Sequence, residues 1–526
     1  MPKLPLLEPG RRRRNAPRCD SVVLAVYAPF GSDPTLSVYP NAAQAPIAKQ
    51  TLVKALQKVA AQGVNVSALV DLYDDDSYLV EIAAGKPGEM SIVSAWKQDM
   101  STPQALAGFL RRVHARFPRS ELVLSLEGHG GGFLPDIDYT RLTPASMTQW
   151  SAGGQSGTVQ WTKSSSDTRF QSDGGSPVLP VNSPELPVNS PELPATRLPM
   201  STWGLGAGLA GAIKAGVPRP AVINFANCFN GSVEHLSQVA RYADVATGYA
   251  NYDFFTAGVT YPKVFQRLRQ AGSASALQLA QWFAAENEAL LHAKQNHPTV
   301  GATIVLARMK AVGKAIDTLS LALLAALQAD HAGAQALVRQ AAVAAQHYDT
   351  EPGYELAVPD QFIDVGSFAV QLQAVFPAGS AVVAAAAALQ GAVAGVWQYG
   401  EWDRPWIDET VVWDFRSRTL GLNILFPDPD LRGLWDWRSP YYLAGTVDPN
   451  QPPAQKHVID FLADRGGASP PWVQFIVEYH KTTPFVGLLP ARPPFFPTFN
   501  PRFEPKYPHP GDGGPPTSTP PTTPKG

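Results

Sequence analysis

A chain of 526 residues with 45% hydrophobic and 16% charged side chains has apolar material for a large core or for two to three average domains. A formal net charge of -2 leaves no global basic field, which argues against nucleic acid as the main partner. With only two cysteines, Cys19 and Cys228, a disulfide framework and a four-cysteine metal site are excluded.

The first residues carry a run of arginines, Arg11 to Arg14, and no apolar run long enough for a signal peptide. Residues 1–19 therefore read as a flexible basic leader. The nearest approach to a membrane span is Ala381 to Trp397, whose alanine content, with Gln390 and Gly391, reads better as a packed helix. A cytoplasmic location without a membrane partner is the expectation.

From Val22 onward, short apolar runs alternate with helical patterns, the mark of βαβ units around a mostly parallel sheet and hence of an α/β fold. Strands are predicted at Val22 to Tyr27, Val64 to Leu72, Glu121 to Leu126, Ala221 to Phe225 and Ala243 to Thr247. Their continuous Val, Leu and Ile content suits burial on both faces. Helices are predicted over Ile47 to Ala61, Leu106 to Phe117 and Ser232 to Tyr242.

Residues 140–199 break this rhythm. They are rich in Ser, Gly, Thr and Pro, and the heptad Pro180 to Leu186 recurs at Pro187 to Leu193. Such composition buries too little apolar surface to offset its ordering entropy, so an exposed insertion is predicted. Amphipathic helices follow Tyr261, with one long Ala/Leu pattern from Met309 to His347. Short strands are predicted near Thr410 to Phe415 and Leu420 to Phe426. The domain reading is a core over 20–300 carrying the 140–199 insertion, a C-terminal helical and mixed α/β region over 301–490, and a Pro-rich tail over 491–526.

Ligands of open parallel sheets bind at the carboxyl ends of the strands. Two such ends are chemically unusual. One runs into Glu127-Gly128-His129-Gly130-Gly131-Gly132-Phe133, the other into Ala226-Asn227-Cys228-Phe229-Asn230-Gly231. An imidazole and a thiol at adjacent strand ends can do acyl chemistry. A free thiol has a pKa of about 8.5, and a nearby imidazolium and a helix N-terminus both favour the thiolate. His129 could then protonate a leaving amine. The backbone amides of Gly130 and Cys228 could receive the oxyanion, one such donor being worth about 10²–10³ in rate. A lone histidine beside glycines is ordinarily a turn or core residue, and a lone cysteine after a strand a packed hydrophobe. Only the pairing carries the catalytic reading.

These motifs resemble those of the clostripain family of cysteine peptidases, in the caspase-like clan. An apolar strand followed by HGGG and an aromatic is similar to the family's histidine motif. Phe225-x-x-Cys228, with Gly231, Val233 and Glu234 behind it, is similar to its nucleophile motif. Further likeness runs from VVLAVYAPF at the start, through Met100 to Pro103 with Leu106, Phe109, Phe117 and Pro118, to Gln361 to Val365 with Phe368-Ala369. It ends at Gly421 to Pro427, so the resemblance covers roughly residues 20 to 430 in order. It implies a caspase-like α/β/α sandwich, peptide-bond hydrolysis through a Cys228 acyl-enzyme, and a peptide or protein substrate. It also implies activation of a zymogen by cleavage between histidine and cysteine. Arg141, Lys163, Arg169 and Arg197 are then candidate processing sites, for the enzyme itself or for an upstream activating protease.

Two departures stand out. The family usually has an aspartate two residues before the cysteine, thought to pair with a substrate Arg or Lys; here that position is Ala226. An unpaired buried substrate cation would cost about 2–5 kcal/mol. The stretch Thr247 to Tyr252 also lacks acids, so a neutral pocket lined by Ala226, Tyr249 and Asn251 is the expectation. The second departure is the length and repeat of the 140–199 insertion. No cofactor is required by this chemistry; calcium is allowed by the resemblance, with no ligands assignable, since Asp74-Asp75-Asp76 reads as a solvated turn. Asp364, Phe368 and the Gly421 to Pro427 strand read as structural, and Trp435, Trp437, Tyr441 and Tyr442 as a core or domain seam. Two other readings stay open: a degenerate family member that binds peptides or scaffolds a complex without turnover, and a Cys-His acyltransferase or amidase.

Overall fold

The computed structural model describes residues 16–29, 47–71, 77–96, 100, 102–128, 130, 132–134, 136, 200–251, 253, 256–295, 299–348, 362–400, 406–408, 411–413, 421–426 and 470–479. The 140–199 insertion, Asp74 to Asp76, the aromatic group Trp435 to Tyr442 and the 491–526 tail lie outside them.

A nine-stranded sheet organises the molecule. Its five central strands are parallel: β2 (Asn65–Asp71), β1 (Val22–Pro29), β5 (Glu121–Glu127), β6 (Val222–Ala226) and β7 (Val245–Tyr249), in that spatial order. These are the predicted strands, and their burial on both faces explains why they read as unbroken apolar runs. β1 is buried at every residue. Antiparallel strands extend both edges: β3 (Ser77–Ile82) and β4 (Ser91–Trp96) beyond β2, β8 (Val300–Val305) and β10 (Trp397–Gly400) beyond β7.

Helices cover both faces. On one side lie α1 (Thr51–Ala61), α5 (Tyr261–Ala271) and most of the buried surface of α6 (Ala276–Gln295), around Leu24, Val26, Leu56, Val264 and Phe283. The other face carries α2 (Pro103–Arg116), α3 (Thr202–Lys214) and α4 (Val233–Val239). With them pack α7 (Met309–Ala329), α8 (His331–Ala344), α9 (Val365–Val375), α10 (Ala381–Val393) and α11 (Pro471–Tyr479), in one continuous apolar core. Local signals start these helices where they start. The Thr102 side chain caps α2 by accepting from Ala105 N, with Pro103 in its first turn, and Ser201 caps α3 by accepting from Gly204 N.

The structure departs from expectation in three places. The Met309 to His347 pattern is two helices, because Asp330 leaves helical geometry and caps α8 through Gly333 N. The boundary drawn at residue 300 falls within β8, and the apolar core runs across it from Val23 to Tyr479. Among the described residues one helix, Leu306–Ala329, is long and apolar enough to cross a membrane, and it is not the one that sequence reading brought closest. One face of it, with Ile316, Leu319, Leu323 and Leu327, is buried in the core. Of the Ala381 to Trp397 segment, Ala381–Val393 is a packed helix with Val382, Ala386, Leu389 and Val393 buried, and Trp397 begins β10.

Candidate active site

β5 and β6 are parallel neighbours, with Leu126 opposite Phe225 and Glu127 opposite Ala226, so the residues that follow them leave the same edge of the sheet side by side. His129 itself lies outside the described residues, but glycines on both sides of it are placed. Gly128 has φ 114°, in the region open to glycine. Gly130 is buried against the Cys228 backbone so closely that a β-carbon there would overlap the Cys228 carbonyl oxygen. The two motifs thus meet, and the amides proposed for the oxyanion belong to residues in contact.

Cys228 is half-buried. Its Sγ accepts from the Asp253 amide at 3.3 Å and lies 3.5 Å from the Asp253 carbonyl oxygen, to which a thiol proton can be donated. The amide favours the thiolate and the carbonyl the thiol, so these two contacts oppose each other at the sulfur. Phe229, next in the chain, sits at φ 57°, where a non-glycine residue costs about 1–3 kcal/mol and persists only when neighbours hold it. They do: Phe229 N donates to Asn251 O at 2.8 Å, and its ring stacks on Phe362 at 5.4 Å. Gly231 passes so near β7 that a β-carbon would lie 2.7 Å from Tyr249 C. The helix behind the cysteine is shorter than the predicted Ser232 to Tyr242: it is Val233–Val239, capped by Ser232.

Of the expected pocket residues, Ala226 is half-buried at the end of β6. Tyr249 is buried and its hydroxyl accepts from Asn287 Nδ2 at 2.9 Å, while Asn251 is fully buried with Oδ1 accepting from Val300 N at 2.7 Å. Both are engaged within the fold. Arg141, Lys163, Arg169 and Arg197 lie outside the described residues. The chain on either side of residues 137–199 is clasped at one point: Thr202 N donates to Leu134 O at 3.0 Å, Leu134 N to Thr202 Oγ1 at 2.9 Å, and Ser201 Oγ to Asp136 Oδ1 at 3.1 Å.

Sequence reading missed the buried acids. Asp253 follows directly on the stretch that lacks them, and its Oδ1 accepts from Asn287 Nδ2 at 2.9 Å. Glu127, quoted in the histidine motif but given no role, is buried beside Ala226 and accepts from the Tyr261 hydroxyl. That hydroxyl also pairs with Ser125 Oγ at 2.6 Å, which accepts from Asn224 Nδ2 at 3.0 Å. Burial raises Asp253 well above the ordinary carboxylate range, against the opposing Asn287 hydrogen bond. Burial likewise raises Glu127 and Glu288 to about 7. The same cause lowers His235 to about 3. No group of three or more His, Cys, Asp or Glu among the described residues could hold a metal ion.

Glu127 makes stability fall with pH. Above its ordinary value near 4.5 the unfolded chain releases this proton, while the folded chain keeps it until about 7. Its contribution declines across that window by about 3 kcal/mol and is constant above it. Glu127→Gln keeps an acceptor for Tyr261 and should flatten the decline between pH 5 and 7. Melting curves of both proteins test this, and their difference isolates Glu127 from His235, which acts oppositely below about pH 6.5. Parallel curves would rule the assignment out.

No protein-family model and no curated protein matches the chain. Among solved structures, it is similar to a secreted C11 cysteine protease from Bacteroides thetaiotaomicron, "iotapain", at 12% identity and TM-score 0.47, covering 77% of this chain and 93% of that one. An inactive zymogen C11 protease from Parabacteroides distasonis gives 12% identity and TM-score 0.43, covering 80% of this chain and 98% of that one. A clostripain from Bacteroides thetaiotaomicron in complex with a peptide inhibitor gives 13% and 0.30, over 43% and 86%. Two of the similar structures are described as secreted, which overturns the cytoplasmic expectation. That expectation rested on a missing apolar run near the start, and an absent run fixes no compartment. The solved structures that this α/β fold is similar to are C11 and clostripain cysteine proteases.

Proposed function

We propose that the chain is a cysteine endopeptidase of clostripain type, with Cys228 as nucleophile and His129 as acid and base. The observation that carries this reading is the contact between the two motif backbones, Gly130 against Cys228, at neighbouring carboxyl ends of parallel strands. In this scheme the Cys228 thiolate attacks the scissile carbonyl, and the oxyanion forms against the amides of Gly130 and Cys228. His129, protonated, gives its proton to the leaving amine. It then takes one from water, which attacks the thioester and frees the acid and Cys228.

The pocket is proposed to disfavour strong selection of Arg or Lys. Ala226 supplies no charge, and burial holds Asp253 toward its neutral form, so its nearness to Cys228 does not restore one. Residues 140–199 are proposed as an activation linker cleaved in trans by an upstream protease. The clasp at Leu134, Asp136, Ser201 and Thr202 supports this, because it anchors both flanks of the linker just beyond the histidine motif.

A thiol-reactive peptidyl probe tests the proposal. The label should appear on Cys228, persist in Cys19→Ala and vanish in Cys228→Ala. A chain lacking Ser164 to Pro194 should label faster. Labelling of Cys19 alone would defeat the peptidase reading, and equal rates with and without the linker would reduce it to a surface insertion.

A further inference from the structure

β11 (Asn423–Leu425) pairs with β9 (Phe362–Asp364), outside the main sheet, yet one of its residues reaches the nucleophile loop. Asn423 is fully buried, and its carboxamide donates twice: Nδ2 to Phe229 O at 2.9 Å and to Ala250 O at 2.7 Å. Its backbone N–H donates to Gly231 O at 3.0 Å. A single residue thereby ties the loop after β6 to the loop after β7.

Both tied loops bear on the sulfur. Phe229 follows Cys228 and occupies the left-handed region; Asn251 O holds its N–H, on the Cys228–Phe229 peptide, and Asn423 holds its carbonyl, on the next peptide, so the two together fix the residue beside the cysteine. Ala250 lies shortly before Asp253, whose N–H meets Sγ. Among the described residues Asn423 Oδ1 has no partner, while an apolar side chain of similar size would remove the donors that Phe229 O and Ala250 O receive from Nδ2. The two donated bonds are what this buried carboxamide contributes to the loops.

We propose that Asn423 is a positioning residue for the catalytic cysteine, holding Phe229 beside Cys228 in its left-handed conformation and the Asp253 amide in the geometry that exposes and stabilises the thiolate. This rests on the reading of Cys228 as nucleophile.

The test uses the full chain and compares Asn423→Ala, Asn423→Asp and Asn423→Ser with wild type. Val338→Ala, a buried core change in α8, serves as a control for lost stability. The readouts are kcat and KM on a fluorogenic peptide, and the pH dependence of iodoacetamide alkylation at Cys228, resolved from Cys19 by mass spectrometry. Asn423→Ala should lower kcat about 10-fold or more with KM within about two-fold, and should move the alkylation midpoint upward, as expected when a catalytic group is displaced. Asn423→Asp, which cannot donate and repels both carbonyls, should be at least as severe. Asn423→Ser keeps one donor and should fall between; it decides the matter if the other two fail to fold. Val338→Ala should lower the melting temperature and move neither readout. If Asn423→Ala or Asn423→Ser melts lower yet keeps kcat and the midpoint, the positioning role is overturned. A wild-type protein without turnover, whose Cys228 alkylates at the ordinary thiol midpoint of about 8.5, would instead overturn the peptidase reading, and this one with it.

Discussion

Cys228→Ala is expected to lower kcat on a peptide substrate by at least about 10³, while Cys19→Ala leaves it within about two-fold. Loss of a nucleophile that acts as a unit with its base removes nearly the whole covalent route, leaving only what binding and the oxyanion donors provide. Both cysteines are half-buried and free, but they differ in place and in surroundings. Cys19 precedes β1, at the opposite edge of the sheet from the strand ends, and its Sγ donates to Phe265 O at 3.6 Å. Burial raises its pKa, against the opposing Arg269 charge, which keeps it a thiol. Cys228 stands at the carboxyl edge with an amide aimed at its sulfur. Under the proposed dyad, His129→Ala should match the loss in Cys228→Ala, and the double variant should be no worse than either, as expected of two residues that work as one device. Kinetics of the single and double variants decide it. Losses that multiply would show that the two residues act separately, and that the dyad is wrongly assigned.

The five central strands are legible because each is a short apolar run covered on both faces, which composition alone signals. The four edge strands are not. β3 and β4 mix polar and apolar residues in antiparallel pairing, β8 contains Gly301, and β10 is four residues long. The helix break at Asp330 carries a readable capping residue, but the Ala/Leu pattern on both sides of it conceals the stop. The site divides along the same line. Cys228 and the glycines around His129 are visible because strand, glycine and reactive side chain fall within a few residues. Asn423 is invisible because its bond to Phe229 spans 194 positions. Glu127 and Asp253 are acids whose chemistry is set by burial, and burial is a property of packing that no local pattern announces.

Gly130→Ala should lower kcat about 100-fold or more, although alanine is the smallest side chain that can be added. A β-carbon at this position would overlap the Cys228 carbonyl oxygen and lie 2.5 Å from the Cys228 C and N atoms. The obstacle is backbone rather than the tip of a flexible side chain, so relief requires the two loops to separate. Separation moves three things together: His129 relative to the sulfur, and the amides of Gly130 and Cys228 relative to the oxyanion. A displacement of about 1 Å at reacting groups costs about 10²-fold, and one misplaced oxyanion donor costs a similar factor. The loss should fall on kcat with KM little changed, since the groups that move serve the transition state rather than the rest of the bound peptide. Gly391→Ala is the matched control. It lies within α10 with no atom near enough to meet the new methyl group, so it should leave kcat alone and stabilise that helix by about 1 kcal/mol. Folding of Gly130→Ala, checked by its melting curve, separates a misaligned site from an unfolded chain. A folded Gly130→Ala enzyme with wild-type kcat would mean that the contact between the two motifs plays no part in catalysis.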